Sequence, residues 1–411
     1  FLSERTEFAE ACEKAKITFV GPSGKAMRAL GSKIDAKEIA VKSGVPITPG
    51  FFDKTATTNQ LKKAAEEIGF PVMLKASAGG GGRGMRVVRE AKDFERELAL
   101  ASDEALKAFG DDTMMVEKLI EKPRHIEVQV IADHHGNIAC LFERECSLQR
   151  RHQKVVEEAP SVIGEKVWPA MREAVLKLAQ AAAYTNAGTV EFMVDSKTGE
   201  FYFLEVNARL QVEHPVTEMI TGLDLVQLQL KIASGEKLNL SSQIMEGNRS
   251  AINGHAIEAR IISEDPAKNF MPSIGKILAW AEPKMPGVRL DTGYSQGAEI
   301  SRYYDSLVAK LIAYAPTREQ AIHKLKTALL DFHVLGVKTN IPYLLDVISN
   351  ERFQKGEIDT GFLEREFGSW TGEAPLPNEL EAIVSRAGAT ESKPCSTVKS
   401  DAAWTSDSFR N

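Results

Sequence analysis

A lysine beside a run of glycines is the first feature with chemical potential. Lys75 closes a short apolar stretch, and Gly79, Gly80, Gly81, Gly82 and Gly84 follow, interrupted only by Arg83 before Met85. Consecutive glycines let backbone N–H groups wrap phosphate oxygens, because no Cβ blocks the approach. The run lacks the Gly-Lys-Ser/Thr ending of a Walker loop, and no helix follows it directly, so a dinucleotide fingerprint is also excluded. A hairpin tip without function fits it as well. A loop that closes over nucleotide phosphates combines the two.

Carboxylates form the second cluster. Glu191 and Glu205 lie on two strand-like runs, 189–194 and 201–206, either side of Asp195-Ser196-Lys197-Thr198-Gly199-Glu200. They oppose each other only in a register that leaves a connection of odd length, about three or five residues. Asn207, two positions after Glu205, shares its face. Two carboxylates and an amide oxygen suit a hard cation such as Mg²⁺. Without one the carboxylates repel, and one tends to hold a proton. The alternative is a solvated strand face with unrelated glutamates.

Arg209, Gln211 and Glu213 come next, alternating with Leu210 and Val212. In an extended chain they point one way, and the chemistry is a small anion held by Arg with a proton taken by Glu. A surface ion pair of little energetic weight is the competing reading. The third cluster is Gln149-Arg150-Arg151-His152-Gln153-Lys154, dense in positive charge and followed by Glu157 and Glu158. It reads as a solvated charged face or as an anion pocket. Arg260 ends a strand-like segment that begins at His255.

These residues need elements to hold them. The pattern predicts a helix over 4–15, a strand over Ile17–Val20, and a helix capped by Ser23 and running to Leu30. It predicts an α/β stretch with a helix near 57–68, strands at 71–75, 85–89 and 114–117, and a helix near 91–109. His125 to Ile131 alternates Ile126, Val128 and Val130 with Glu127 and Gln129, the pattern of a half-buried strand. Met171, Val175, Leu178 and Ala182 mark one helix face.

The chain has 411 residues, which is more than one compact core normally organises. Apolar residues make up 43% and charged residues 26%, ordinary globular values that exclude wholesale disorder. The net charge of -6 argues against a nucleic-acid binder, which needs a basic surface. Four cysteines without a Cys-x-x-Cys pair give neither a disulfide scaffold nor a zinc site, and a reducing compartment is the simpler reading. No apolar run is long enough to span a membrane. Residues 371–411 are rich in Pro, Ser, Thr, Ala and Glu and read as a flexible linker.

Taken together, these segments resemble the ATP-grasp core of biotin carboxylases. The diagnostic stretches are Arg151-His152-Gln153-Lys154-Val155-Val156-Glu157-Glu158-Ala159-Pro160 and Asn207-Ala208-Arg209-Leu210-Gln211-Val212-Glu213-His214-Pro215-Val216-Thr217-Glu218. The likeness covers roughly residues 1–370. It implies an α+β or α/β fold: an ATP-grasp fold with the remnant of an N-terminal pre-ATP-grasp domain and a C-terminal biotin carboxylase domain. The implied division is 1–45 for the remnant, 46–119 for the lid with its glycine loop, 120–370 for the core and C-terminal domain, and 371–411 for the linker. Phe1-Leu2-Ser3-Glu4 resembles a segment inside the family's N-terminal domain, so the first strands of that domain are expected to lie outside this sequence.

The resemblance also implies roles. Lys33, Lys75 and the loop around Gly80, Gly81 and Gly82 would hold ATP phosphates. Glu117, Lys118 and Ile120 would border the adenine, and His125, Gln149 and His152 would line the nucleotide site. Glu191 and Glu205, with Asn207 nearby, would bind Mg²⁺ or Mn²⁺. Lys154, Arg209, Gln211 and Val212 would hold bicarbonate, Glu213 would deprotonate it, and Arg260 would stabilise the biotin enolate.

The implied reaction phosphorylates bicarbonate to carboxyphosphate, then carboxylates biotin. Ala78 stands where the family often has glycine. The tail 403–410 resembles the region after the carboxylase domain in α subunits of acyl-CoA carboxylases, and no Ala-Met-Lys-Met biotin-attachment motif is present. The implied partners are a biotin carboxyl carrier domain, further copies of the chain, and a carboxyltransferase carried on a separate domain or polypeptide. The implied setting is the cytoplasm or the mitochondrial matrix. Another ATP-grasp ligase and a nucleotide-binding module without turnover are the competing readings.

Overall fold

The computed structural model describes residues 2–78, 84–196 and 198–372. The expected linker therefore lies almost wholly outside the described residues, as does most of the glycine run. Described residues up to Trp370 pack as one unit.

The N-terminal segment is helical. Helix α1 spans Thr6–Lys14, α2 spans Gly24–Gly31 and α3 spans Lys33–Lys42. Ser23 and Ser32 start α2 and α3 by accepting the backbone N–H of Ala26 and Asp35. The expected strand at 17–20 does not form. Ile17 and Val20 are instead exposed, because no described strand pairs with them and an unpaired strand leaves its backbone groups unsatisfied. Helices α2 and α3 send Met27, Leu30, Ala36 and Ala40 into the central core rather than into one of their own.

Residues 50–118 build a small four-stranded sheet. Its strands are β1 (Gly50–Phe51), β2 (Val72–Ala76), β3 (Met85–Val88) and β4 (Met114–Lys118), in the antiparallel order β1-β4-β2-β3. Helices α4 (Thr58–Ile68) and α5 (Phe94–Phe109) cover it and share its separate apolar core. Thr57 and Gln60 form a reciprocal capping box on α4, and Gly69 and Gly110 end the two helices at positive φ.

The large sheet has eight antiparallel strands. In chain order they are β5 (Pro123–Ala132), β6 (Ile138–Arg150), β7 (Gln153–Ala159), β8 (Asn186–Asp195), β9 (Phe201–Asn207), β10 (His255–Ile262), β11 (Val288–Thr292) and β12 (Leu307–Ala315). Their spatial order is β11-β12-β10-β7-β6-β5-β8-β9. Helix α6 (Gly164–Ala181) buries Val167, Met171, Val175 and Leu178 against Ile126, Val128 and Phe142. Helices α7 (His214–Thr221) and α8 (Leu225–Ala233) follow β9, while α9 (Arg318–Asp331) and α10 (Ile341–Ser349) pack on Ile257, Ala259 and Ile261 of β10.

β5 corrects one expectation. It is buried on both faces, with Glu127 and Gln129 as inaccessible as Val128. The alternation separates an apolar face from a polar interior face, not from water.

Candidate functional site

The polar faces of β5–β10 open into a cleft of about 930 Å³ between the large and small sheets. Every expected site residue that is described lines it: Lys33, Lys75, Glu117, Lys118, Ile120, His125, Gln149, His152, Lys154, Glu191, Glu205, Asn207, Arg209, Gln211, Val212, Glu213 and Arg260. Gly80, Gly81 and Gly82 lie outside the described residues. These positions run from 33 to 260 in the chain, and the sheets bring them to one place.

Lys154 sits at the centre. Its ammonium donates to Glu127 and Glu213, to Glu191 Oε1 at 3.0 Å and to Gln211 Oε1 at 3.1 Å. Burial opposes its charge, but these carboxylates outweigh that and hold its pKa well above the usual lysine range. Glu213 is 2% exposed and bridges two cations, because Arg260 Nη2 donates to its Oε2 at 2.9 Å. Burial alone would raise its pKa; Lys154, Arg260 and Arg144 instead hold it well below the carboxylate range.

The run from 208 to 213 is irregular rather than a strand. Arg209, Gln211 and Glu213 nevertheless reach the same cleft, while Leu210 packs into a neighbouring apolar cluster. Arg209 is held by Glu4 Oε2 at 2.8 Å, and its guanidinium also reaches Asn207 Oδ1 at 3.3 Å. Of the basic cluster, Gln149, His152, Gln153 and Lys154 line the cleft. Arg150 turns to Glu264 at 2.7 Å and stacks 3.8 Å over the Phe270 ring.

In the same cleft Glu117 is buried between two lysines. Lys75 Nζ lies 2.6 Å from its Oε2, and Lys37 pairs with its Oε1. Burial pushes the Glu117 carboxyl up, but the two ammonium groups prevail and bring it down to about 2. Lys118 donates to Gly69 O at 2.6 Å. Gln149 Nε2 lies 2.8 Å from His125 Nδ1.

Glu191 and Glu205 are directly opposed across β8 and β9, and a bulge follows between Glu191 and Phe192. Glu191 Oε1 accepts from Asn207 and Gln211, both at 2.9 Å, and its Oε2 lies 3.0 Å from His125 Nε2. Burial works against the charge of Glu191, yet Lys154 and His125 keep its pKa well below normal, so it is an ionised oxygen donor. Glu205 is partly accessible and lies 3.7 Å from Lys33 Nζ. At this edge Asn207 turns its NH₂ to Glu191 and its Oδ1 to Arg209, so of the expected cation ligands only the two opposed carboxylates present oxygens to each other's strand. His125, Glu127 and Glu191 also converge within 4.8 Å, but there the Lys154 ammonium already supplies the positive charge.

Several contributors escaped the sequence reading. Arg144 is fully buried and fans out to Glu127, to Gln129 at 2.7 Å, to Thr217 at 3.0 Å and to Thr189 at 3.1 Å. Glu157 accepts from Arg260 Nε at 2.6 Å, and Lys310 donates to Val212 O at 2.9 Å. One signal was available: with period two, His125 places Glu127 and Gln129 on its own face.

The comparisons agree with this geometry. Residues 32–241 match the family model described as carbamoyl-phosphate synthase L chain, ATP binding domain. Residues 1–27 and 258–365 match the biotin carboxylase N-terminal and C-terminal domains. The chain is 47% identical over 365 residues to the alpha subunit of the mitochondrial methylcrotonoyl-CoA carboxylase of Rattus norvegicus, covering 88% of this chain and 50% of that one. It therefore spans about half the length of that relative.

It is 46% identical over 368 residues to a pyruvate carboxylase subunit of Methanothermobacter thermautotrophicus, covering 89% of this chain and 73% of the relative. Among solved structures, the biotin carboxylase domain dimer of Hydrogenobacter thermophilus 2-oxoglutarate carboxylase, in complex with MgADP, ADP and bicarbonate, superposes with a TM-score of 0.84. It shares 45% identity, with 89% of this chain and 80% of that one covered. The fold is the ATP-grasp fold of that structure, and the chain belongs to the biotin carboxylases, a family of ATP-dependent carboxylase ligases.

Proposed function

We propose that this cleft carboxylates carrier-bound biotin with ATP and bicarbonate, as the first half-reaction of a biotin-dependent carboxylase. The observation that carries the reading is the Lys154–Glu213–Arg260 arrangement: a buried carboxylate held between two cations, in a cleft that Lys33 and Lys75 also line. Arg209, Gln211 and Lys154 bind and orient bicarbonate, with the Arg209 fork suited to a planar anion. Glu213 takes the bicarbonate proton. A bicarbonate oxygen then attacks the γ-phosphorus, and the bond to ADP breaks. Lys75 and Lys33 position the phosphates, which is most of what phosphoryl transfer requires of a protein. A Mg²⁺ held by Glu191 and Glu205 would neutralise charge on the phosphate oxygens.

The carboxyphosphate decomposes to CO₂ and phosphate. Phosphate takes the ureido N–H proton, and the nitrogen bonds to CO₂ while Arg260 meets the charge on the ureido oxygen. Glu213 is a weak base while both cations hold it. Bicarbonate on Lys154 and biotin on Arg260 draw those cations away, so the substrates raise the basicity that they need.

The carrier domain, the carboxyltransferase partner, the assembly of several copies and a cytoplasmic or mitochondrial setting belong to the same proposal. The rat relative is named as mitochondrial, and the bacterial neighbour is titled a dimer. No helix among the described residues is long and apolar enough to cross a membrane. The test is ATP cleavage by the purified chain with Mg²⁺ and bicarbonate, with and without free biotin. Stimulation by biotin is expected. Cleavage indifferent to both bicarbonate and biotin would contradict the reading.

A further inference from the structure

Behind Glu213 and Arg260 lies a second pair of carboxylates that the reaction above does not use. Glu157 on β7 and Glu258 on β10 are direct partners across the antiparallel strands. Both are fully inaccessible to solvent. Glu157 Oε1 accepts from Arg260. Glu157 Oε2 and both oxygens of Glu258 are buried with no hydrogen-bond partner among the described residues. Two bare carboxylates side by side out of water repel, and each pays the cost of an unsatisfied polar group.

The surroundings do not supply enough positive charge for both. Arg260 divides its guanidinium between Glu157 and Glu213. Lys310 on β12 donates to Val212 O and lies 3.4 Å from Asp291. Lys154 and Arg144 are engaged with Glu127, and Glu213 adds a further negative charge. On α7, His214 Nδ1 donates to Gln211 O, and Glu218 pairs with Arg289. Helices α9 and α10 pack on the other, apolar face of β10. Burial and the neighbouring Glu157 charge push the Glu258 carboxyl well above its ordinary range, and burial brings Glu157 up to about 7 against the pull of Arg260.

We propose that Glu157 and Glu258 share one proton, carried mainly by Glu258 as a carboxylic acid that donates to Glu157 Oε2, and that the pair positions Arg260 for biotin. One negative charge behind Arg260 anchors its Nε and shares Nη2 with Glu213, which keeps the guanidinium within reach of the substrate. A second negative charge, gained when the shared proton leaves, draws the guanidinium back from the cleft. Biotin-dependent turnover then falls on the alkaline side, while bicarbonate-dependent ATP cleavage, which does not need Arg260 on biotin, falls less. The functional half of this inference rests on the proposed reaction; the shared proton does not.

Two readouts separate the halves. The infrared spectrum at neutral pH should contain the carbonyl stretch of a buried carboxylic acid that Glu258→Gln removes. Glu258→Gln, an uncharged mimic of the protonated form, should keep biotin-dependent turnover at neutral pH and move its alkaline limb upward. Glu157→Gln should lower biotin-dependent turnover about tenfold, the scale of one lost charge-assisted bond, with little loss of biotin-independent cleavage. Glu258→Met also lacks the proton-sharing group and must remove the same band, so it serves if the amide variant does not fold. A spectrum unchanged by either Glu258 variant overturns the shared proton. An alkaline limb that does not move in Glu258→Gln overturns the positioning role. Absence of any biotin stimulation in the unaltered chain overturns the functional half alone, since the band still reports the proton.

Discussion

Glu213 owes its chemistry to its neighbours more than to its own side chain. Replacing it by Ala removes the charge, the side-chain volume and both acceptor oxygens at once, whereas Glu213→Gln removes the charge and the base but keeps the volume and one acceptor for Lys154 or Arg260, so it is the cleaner probe. We expect Glu213→Gln to lower bicarbonate-dependent turnover by about 10²–10⁴, the usual worth of a positioned base, while nucleotide affinity changes little. Equal loss of both in kinetics and nucleotide titration would make the residue structural. Arg260→Ala should reduce biotin carboxylation far more than bicarbonate-dependent ATP cleavage, and a uniform loss in paired assays would contradict its role at the ureido oxygen. Much of this site was legible as residues. Glu191 and Glu205 oppose each other as period two around a turn requires, whereas Glu213 stood out only through the resemblance, since the extended run assumed for its spacing from Arg209 is irregular. Arg144 and Glu157 were not legible: each acts from a wholly buried position, and polar residues alternating along a strand look the same whether they face water or a polar interior.

Elements carry consequences of their own. Glu158 ties β7 to its neighbours, accepting from His255 of β10 at 2.7 Å and from Arg318 of α9 at 2.6 Å. Burial works against its charge, but Arg318 and His255 bring its folded pKa from 4.5 down to about 2. The stabilisation is therefore complete above pH 4.5 and is lost as pH falls towards about 2. Glu158→Gln should cost on the order of 3 kcal/mol at neutral pH and flatten the fall in stability through that acid window, as measured by denaturant unfolding at stepped pH.

In the small sheet, Gly84 has φ of +67°, and an added Cβ would meet Ala76 Cβ at 2.9 Å. Gly84→Ala should destabilise the β2–β3 pairing by about 1–3 kcal/mol and speed hydrogen exchange there before the large sheet loosens. Most elements could be read from periodicity and caps. The apolar run at 17–20 could not, because strand formation depends on a partner and none of the described strands supplies one. The Lys37–Glu117–Lys75 link was equally hidden, since it joins a helix of the N-terminal segment to the small sheet across 80 positions of sequence.

At the scale of the whole molecule, the cleft is lined from two sides, by a small sheet with its own core and by the large sheet. Lys75, proposed to position phosphate, comes from the small sheet and Lys33 from α3, while Lys154, Glu213 and Arg260, proposed as the acid–base and enolate groups, come from the large-sheet side. Helices α2 and α3, within the segment expected as an N-terminal remnant, contribute Met27, Leu30, Ala36 and Ala40 to the central core. The central claim is that ATP and bicarbonate meet in this cleft to carboxylate biotin. Its most direct test follows isotope-labelled carbon from bicarbonate into biotin, in the presence of MgATP, with Glu213→Gln as the control. Label should appear on biotin only when ATP is present and should be nearly abolished by Glu213→Gln. ATP cleavage that proceeds with no label reaching biotin, in a folded and nucleotide-binding chain, would contradict the claim.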